Sequence, residues 1–171
     1  MFTVGHSTRT LADLLALLRA HGVAQLADVR TVPKSRRHPH FGGDALARSL
    51  PAQGIAYRHF PGLGGLRKPR RDSTNVGWRN DSFRGYADYM QTDEFERSLE
   101  DLIAWSRSAP TAIMCAEAVW WRCHRQLIAD ALVARGLDVR HIASATSAPA
   151  HEITDFARVD AAGRVTYPGL L

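Results

Sequence analysis

Five short apolar segments alternate along the chain with segments of helical periodicity, and this alternation restricts the fold more than any other feature. The apolar segments are Phe2–Gly5, Val23–Val29, Ile55–Phe60, Thr111–Cys115 and Leu137–Ile142. Strands joined by short helical crossovers lie parallel, and such a sheet is covered by helices on both faces. The sequence therefore predicts an α/β fold: an open, mostly parallel, Rossmann-like five-stranded sheet with helices on both faces.

The helical segments carry their own start and stop signals. Thr10 and Asp13 resemble a capping box, and leucines at helical spacing follow as far as Gly22. Further helices are predicted over 44–50, 83–90 and 92–106, and another ends at Gly136. A small hairpin is predicted near the C-terminus, around 157–160 and 164–167. These elements fit a single domain that spans residues 1–171.

The composition is that of an ordinary globular protein, with 45% hydrophobic and 23% charged residues. No apolar run approaches the roughly 20 residues that span a bilayer, so we expect no membrane partner. The first residues lack the charged and apolar regions of a signal peptide. Two cysteines are too few for a disulfide framework. We therefore expect a cytoplasmic protein with free thiols, and the sequence leaves its oligomeric state open.

The positive charge of the chain is concentrated in one segment. Residues 30–71 hold ten Lys and Arg against one acid, Asp44, which gives +9 in this segment, whereas the whole chain carries +5. Such a concentration favours a polyanionic partner, a nucleic acid or a nucleotide. A solvated basic surface without a partner remains the alternative interpretation.

Most of the chemically reactive side chains lie within one stretch, residues 111–125, at the junction between a predicted strand and a helix. In open α/β sheets, ligands bind at the carboxyl ends of the strands, where the strand order reverses. Polar residues also follow the first and second strands. Strand order 3-2-1-4-5 would make these three strand ends neighbours, and we therefore favour it.

The chain resembles the DUF488 family over residues 2–142. The motifs that carry the resemblance are Gly5-His6-Ser7-Thr8-Arg9, Asp28-Val29-Arg30 with Pro33 and Ser35, Trp78-Arg79-Asn80 with Phe83-Arg84-Gly85-Tyr86, and Cys115-Ala116-Glu117 with Cys123-His124-Arg125. The resemblance implies an α/β domain of the bacterial or archaeal cytoplasm. It implies no particular reaction, so function has to be argued from the residues themselves.

Three residues are candidates for catalysis: Glu117, Cys115 and His6. Glu117 follows an apolar strand and has aromatic neighbours, a setting that suits a general base or a nucleophile, including at a glycosidic bond. Cys115 would gain thiolate character from the helix N-terminus and nearby arginines. Each also has a structural interpretation: a buried thiol, a carboxylate paired with arginine, or a satisfied turn histidine.

A metal site formed by Cys115, Cys123 and His124, with or without His6, is not favoured, because no ligand spacing of the zinc type is present. We therefore predict no cofactor and no metal.

Several residues are expected to bind the anion or the base of a substrate. Arginines hold phosphate in a fork, helix N-termini add backbone N–H groups, and tryptophan can stack on a base. The predicted binding residues are Ser7, Arg30, Arg36, Arg37, Trp78, Arg79, Arg122, His124 and Arg125.

These features favour an enzyme of hydrolase or transferase type that acts on a nucleic acid or nucleotide-type substrate, with Glu117 at the reacting centre. Two alternatives stay open at this point. One is a sulfurtransferase- or phosphatase-like enzyme that depends on Cys115 and acts on a small anion. The other is a nucleic-acid-binding module without catalysis.

Overall fold

A computed structural model describes residues 1–169 of the chain. A five-stranded parallel sheet forms its centre. Its strands are β1 (Phe2–Gly5), β2 (Gln25–Asp28), β3 (Ala56–His59), β4 (Thr111–Cys115) and β5 (Arg140–His141). Five α-helices alternate with them: α1 (Leu11–Ala20), α2 (Gly43–Ser49), α3 (Asp81–Tyr89), α4 (Asp93–Ser106) and α5 (Arg125–Ala134). The predicted α/β fold is confirmed.

The strand order is β3-β2-β4-β1-β5, which corrects the predicted order by exchanging the first and fourth strands. β4 lies between β2 and β1, with Ala112 beside both Leu26 and Phe2. Ala112, Ile113 and Met114 are completely buried, because side chains on both faces of β4 pack against helices. An apolar strand of this kind is most stable at the centre of a sheet. The ends of strands one, two and four are still neighbours, as the site hypothesis requires.

The two faces of the sheet support separate cores. Alternate side chains of each strand point to opposite faces, so Leu26, Ala112 and Met114 pack with α1 and α2, whereas Ala27 and Ile113 pack with α3, α4 and α5. The crossover that follows β1 therefore runs over one face, and the one that follows β4 runs over the other. This divergence opens a crevice between the carboxyl ends of β1 and β4.

The C-terminal hairpin is present and closes one side of the α3–α5 core. It pairs β6 (Arg158–Val159) with β7 (Val165–Thr166), and Tyr167 follows, completely buried. The Tyr167 hydroxyl donates a hydrogen bond of 2.8 Å to Asp130 of α5. Among residues 1–169 no helix combines the length and the hydropathy needed to cross a bilayer.

The long segment between β3 and α3 is ordered by one carboxylate. Asp88 of α3 accepts hydrogen bonds from the Arg70 backbone, the Ser73 hydroxyl and the Asn75 amide. A β-carbon on Gly85 would lie 2.3 Å from the Arg67 carbonyl oxygen, so only glycine allows α3 to pack this closely against the segment. The packing brings Gly64 and Gly65 to the ends of the strands.

Candidate active site

A polar cleft lies at the carboxyl ends of β1, β2 and β4. It consists of three adjoining cavities of about 200, 320 and 590 Å³, which share lining residues with one another. The residues common to two or more of them are His6, Ser35, Gly65, Leu66, Cys115, Ala116, Glu117 and His124. The structure therefore brings His6 together with Cys115, Glu117 and His124, although more than one hundred residues of the chain separate His6 from the other three.

Close contact between β1 and the loop after β4 defines the floor of the cleft. The backbone N–H groups of His6 and Ser7 donate hydrogen bonds to the carbonyls of Cys115 and Ala116, at 3.0 and 2.9 Å. A β-carbon on Gly5 would lie 2.0 Å from the Glu117 carbonyl oxygen. Only glycine permits this approach, so Gly5 sets the distance between the two strand ends.

Cys115, Cys123 and His124 form a compact cluster in this floor. Their sulfur and imidazole nitrogen atoms all lie within 4.8 Å of one another, and Cys123 Sγ is 3.5 Å from His124 Nδ1. Cys115 ends β4, while Cys123 and His124 directly precede the first residue of α5. The cluster thus has the strand-to-helix placement that the sequence predicts for the reactive stretch.

The orientation of the His124 ring is fixed by a backbone contact. Its Nε2–H donates a hydrogen bond of 2.8 Å to the carbonyl of Val29, the residue that follows β2. In the neutral ring, Nδ1 therefore carries the lone pair and faces the two cysteines. Gly65 leaves space for this ring, since a β-carbon there would lie 3.1 Å from Nδ1.

The two thiols influence each other strongly. The proximity of the two sulfur atoms raises the pKa of Cys115 and lowers the pKa of Cys123. Burial adds to the rise at Cys115, while the Arg125 charge adds to the fall at Cys123. The sequence predicts a lowered pKa for Cys115, whereas its surroundings in the structure raise that pKa.

Arg125 is almost completely buried, with 1% of its side chain exposed, and no carboxylate within the described residues forms an ion pair with it. Its Nη2 donates to the backbone carbonyl of Glu117, whereas its Nε has no hydrogen-bond partner in this part of the chain. A buried guanidinium normally has an anionic partner. The neighbouring sulfur atoms of Cys115 and Cys123 are the groups that can supply one. The sequence predicts that Arg125 binds the substrate, but in the structure its side chain is buried and not free to do so.

Glu117 lies at the mouth of the cleft and lines two of its cavities. Its side chain is exposed and forms no ion pair with Arg122 or Arg125, and its Oε1 accepts one long hydrogen bond of 3.3 Å from the Val119 N–H. The apolar enclosure expected from its neighbours in the sequence is absent, because Trp120 and Trp121 turn away in a 3₁₀ turn. The carboxylate remains accessible to water and to a ligand.

His6 and Arg30 belong to a buried hydrogen-bond network. Arg30 donates to both carboxylate oxygens of Asp28, to the Phe41 carbonyl and to His6 Nε2, which occupies four of its five N–H groups. Tyr57 adds a hydrogen bond of 2.7 Å to Asp28. Arg30 therefore supports the wall of the cleft and cannot act as a free phosphate fork.

The same network keeps His6 neutral. Its Nδ1–H donates to the Ser7 carbonyl at 2.9 Å and its ring stacks on Phe41. Burial lowers the pKa of His6 to about 4, and the adjacent Arg30 charge acts in the same direction. Ser7 adopts a positive φ of 49° and lines the outer cavity. His6 thus presents a neutral imidazole beside Cys115.

Exposed cations form one rim of the cleft. Lys34, Arg36 and Arg37 line its outer cavities, and Arg122 lines the inner one. Within residues 1–169 none of the four lies within ion-pairing distance of an acid, in contrast to Arg58 and Arg70, which pair with Asp101 and Asp72. We call these four residues the cationic rim.

Trp78 and Arg79 lie outside the cleft. Trp78 stacks on Phe83 at 4.8 Å between ring centroids and also contacts Phe156 and Tyr167, so it is part of the packing under the C-terminal hairpin. Arg79 is exposed on the turn that follows and lines none of the three cavities. The predicted stacking of Trp78 on a base does not fit this position.

Sequence reasoning missed the contribution of Gly65 and Leu66 to the cleft, and Phe83 and Tyr86 line the same inner cavity. Tyr86 lies beside His124, with 5.2 Å between ring centroids, and its hydroxyl donates to the Leu63 carbonyl. The Pro-Gly-Leu-Gly-Gly run was a usable signal, because paired glycines often mark a close approach of the backbone to another group. Its partner, His124, could not be identified without the fold.

The fold and the site define an α/β domain with a cysteine- and histidine-containing cleft at the carboxyl edge of its parallel sheet. Residues 10–132 match the family described as domain of unknown function DUF488, and the chain belongs to this family. No curated protein and no solved structure matches the chain.

Proposed function

We propose that the protein is an enzyme that acts on a phosphate-bearing substrate of the nucleotide or nucleic-acid type in this cleft. The observation that supports the proposal most strongly is that Arg36 and Arg37 line the same cavity as Cys115 and Glu117. Guanidinium groups bind phosphate oxygens through charge-assisted hydrogen bonds. Groups that can accept or donate protons lie directly beside them, as catalysis requires.

The electrostatics of the cationic rim favour a polyanion over a neutral ligand. Its four side chains are exposed and form no ion pair within the described residues, and together they outnumber the one carboxylate, Glu117, that lines the same cavities. Clustered charges of one sign beside a concave surface raise the local concentration of an oppositely charged ligand. The cavity volumes of about 320 and 590 Å³ are in the range of small-molecule sites and admit a nucleotide unit.

Glu117 is the general base in this proposal. Its exposed carboxylate can take the proton of a water molecule whose oxygen forms the new bond to the substrate. The leaving atom of the substrate then takes up a proton from solvent, so the net reaction is hydrolysis. A transferase would use a substrate hydroxyl instead of water at the same position.

Binding is tested by electrophoretic mobility shift of labelled single-stranded and duplex oligonucleotides over a salt series. Wild-type protein is expected to retain at least one of them at low salt. The double variant Arg36→Ala/Arg37→Ala should weaken binding and reduce the slope of log K against log salt by about 1.4 to 1.8. Arg97→Ala/Arg107→Ala removes the same charge from exposed positions outside the cleft and serves as the control. No retention of any oligonucleotide at low salt would overturn the proposal.

Catalysis is tested separately with Glu117→Gln, which keeps the size and exposure of the side chain. The variant is expected to bind oligonucleotides as the wild type does, and to lose about 10²–10⁴-fold of any cleavage or base release. Equal rates for the two proteins would remove Glu117 from the reaction and leave a binding module.

A second candidate function is a thiol-dependent transfer of sulfur from a small anion. It is favoured by the proximity of the Cys115 and Cys123 sulfur atoms, which lie within 4.8 Å of each other. In a sulfurtransferase, a cysteine thiolate attacks thiosulfate and takes its outer sulfur as a persulfide while sulfite leaves. Incubation with thiosulfate followed by mass spectrometry tests this directly. A sulfur adduct on either cysteine supports it, and an unmodified chain removes it.

A further inference from the structure

We propose that Cys115, Cys123 and His124 bind one thiophilic divalent cation, Zn²⁺ in particular, with a fourth coordination position open to the cleft. The inference goes beyond the proposed function, because metal binding by this cluster does not depend on the identity of the substrate. It also departs from the expectation based on ligand spacing, which does not favour a metal here.

The interatomic distances suit a tetrahedral ion. Zinc binds sulfur at about 2.3 Å and imidazole nitrogen at about 2.0–2.1 Å, so tetrahedral angles place the two ligand atoms about 3.6 Å apart. Cys123 Sγ and His124 Nδ1 are 3.5 Å apart. The third ligand atom, Cys115 Sγ, completes a group whose members all lie within 4.8 Å. A contraction of about 1 Å at most brings all three to bonding distance.

The ring of His124 is oriented as in metal-binding histidines. Such residues usually donate the second ring N–H to a carbonyl or carboxylate, which fixes the tautomer and directs the other nitrogen at the ion. His124 donates Nε2–H to the Val29 carbonyl at 2.8 Å. The Nδ1 lone pair is thereby held towards the cysteine sulfurs.

The cluster is accessible from the cleft side. Cys123 is 6% exposed, yet it lines the inner cavity together with His124, and Cys115 lines the adjoining one. Three protein ligands and one side open to a cavity are the arrangement of catalytic zinc sites, whereas structural sites have four protein ligands. The open position faces the space assigned to the substrate.

The local charge favours an anion as the fourth ligand. Two thiolates and Zn²⁺ sum to zero, and the buried Arg125 side chain adds one positive charge with no carboxylate partner in the described chain. A hydroxide or a phosphate oxygen at the fourth position makes the site neutral. If the proposed function holds, the ion would hold the attacking water near Glu117 and lower the pKa of that water.

The spacing of the ligands explains why the sequence does not reveal the site. Familiar zinc motifs place paired ligands two to four residues apart in one loop. In this chain, seven residues separate Cys115 from Cys123, and the third ligand is adjacent to the second. The 3₁₀ turn at Trp120–Arg122 folds the connection back so that the start of α5 reaches the end of β4.

Metal binding is tested on the full chain, purified without a histidine tag, by elemental analysis, thermal unfolding and thiol accessibility. We expect about one Zn²⁺ per chain, a Tm that rises with added Zn²⁺, and two thiols that react with a disulfide reagent only after chelation. Cys115→Ser and His124→Asn should each abolish these effects, and His38→Asn, at the outer rim, should retain them. Because Cys115 and His124 are only half-buried, these variants are expected to fold, which circular dichroism verifies.

Three results would overturn the metal site: a zinc content far below one per chain after reconstitution, thiol reactivity unchanged by Zn²⁺, or the same zinc content in Cys115→Ser and His124→Asn as in the wild type. A Cys115–Cys123 disulfide that forms equally fast with and without Zn²⁺ would also count against it. Loss of oligonucleotide binding with zinc binding intact would instead refute the proposed function alone, so the two failures can be distinguished.

Discussion

At the scale of single residues, the arginines of this chain have different roles that their sequence context does not distinguish. Arg30 and Arg125 are buried and committed to neighbouring groups, whereas Arg36, Arg37 and Arg122 are exposed at the cleft. Sequence reasoning placed all five in one anion-binding set, because residue type and spacing do not reveal which guanidinium has an internal partner. Asp28, the internal partner of Arg30, lies only two residues away in the sequence. The ion pair can be recognised only when the fold shows that both side chains are buried together.

The Asp28–Arg30 pair gives a direct prediction about stability. Asp28→Asn leaves the buried Arg30 charge without its carboxylate, and we expect the free energy of unfolding to fall by about 3–5 kcal/mol. Urea denaturation at pH 7 measures it. Asp101→Asn breaks the exposed pair with Arg58 and should change the same quantity by less than about 1 kcal/mol. Equal losses in the two variants would contradict the structural role assigned to Arg30.

Gly5 is predicted to tolerate no side chain. In Gly5→Ala, the new methyl group would lie 2.0 Å from the Glu117 carbonyl oxygen, so the loop after β4 has to move. We expect a loss of about 1–3 kcal/mol of stability together with weaker zinc binding, because the same loop leads from Cys115 to Cys123. Gly22→Ala should cost about 1–2 kcal/mol through its positive φ, with zinc binding unchanged. Normal zinc affinity in Gly5→Ala would show that the loop does not position the cluster.

At the scale of elements, local sequence signals predict the helices and strands well and their arrangement less well. β1 and β4 begin and end at the predicted residues, and α1 follows its capping box. The strand order could not be obtained in the same way, because it depends on which strand buries both faces, and β1 and β4 are both short and apolar. The surroundings of Glu117 could not be predicted from local sequence either. Trp120 and Trp121 lie close to it in the sequence, but they do not pack around its side chain.

A buried hydrogen-bond chain joins β1, β5, α5 and the hairpin. Thr3 contacts His141, His141 contacts His151, and His151 contacts Asp130, at 2.8, 2.9 and 2.8 Å. Trp120 stacks on the His141 ring at 3.8 Å, so the chain also supports the turn that brings Cys123 to Cys115. Burial, the neighbouring His151 and the Arg125 charge lower the pKa of His141 to about 3.

At the scale of the whole molecule, the buried histidines predict a loss of stability in mild acid. His6 and His141 have pKa values of about 4 and 3 in the folded chain, against about 6.5 when unfolded. Below pH 6.5 the two histidines take up protons more readily in the unfolded chain than in the folded one. The free energy of unfolding therefore falls as the pH falls below 6.5. Each histidine adds at most about 1.4 kcal/mol per pH unit to the decline.

Urea denaturation between pH 7.5 and 4.5 measures this decline. His141→Asn should reduce its slope below pH 6.5, because the variant lacks one of the two buried imidazoles whose pKa is lowered. A free energy of unfolding that stays constant from pH 7.5 to 5 would contradict the burial of neutral imidazoles.

If the carboxyl edge of the sheet is the functional surface, a short oligonucleotide binds there, and an NMR titration of the ¹⁵N-labelled chain locates the binding surface. The largest amide shifts are expected in residues 6–8, 34–38 and 115–124, with residues 106–109 at the opposite edge of the sheet unaffected. Shifts concentrated at 106–109, or none at all at low salt, would contradict this expectation.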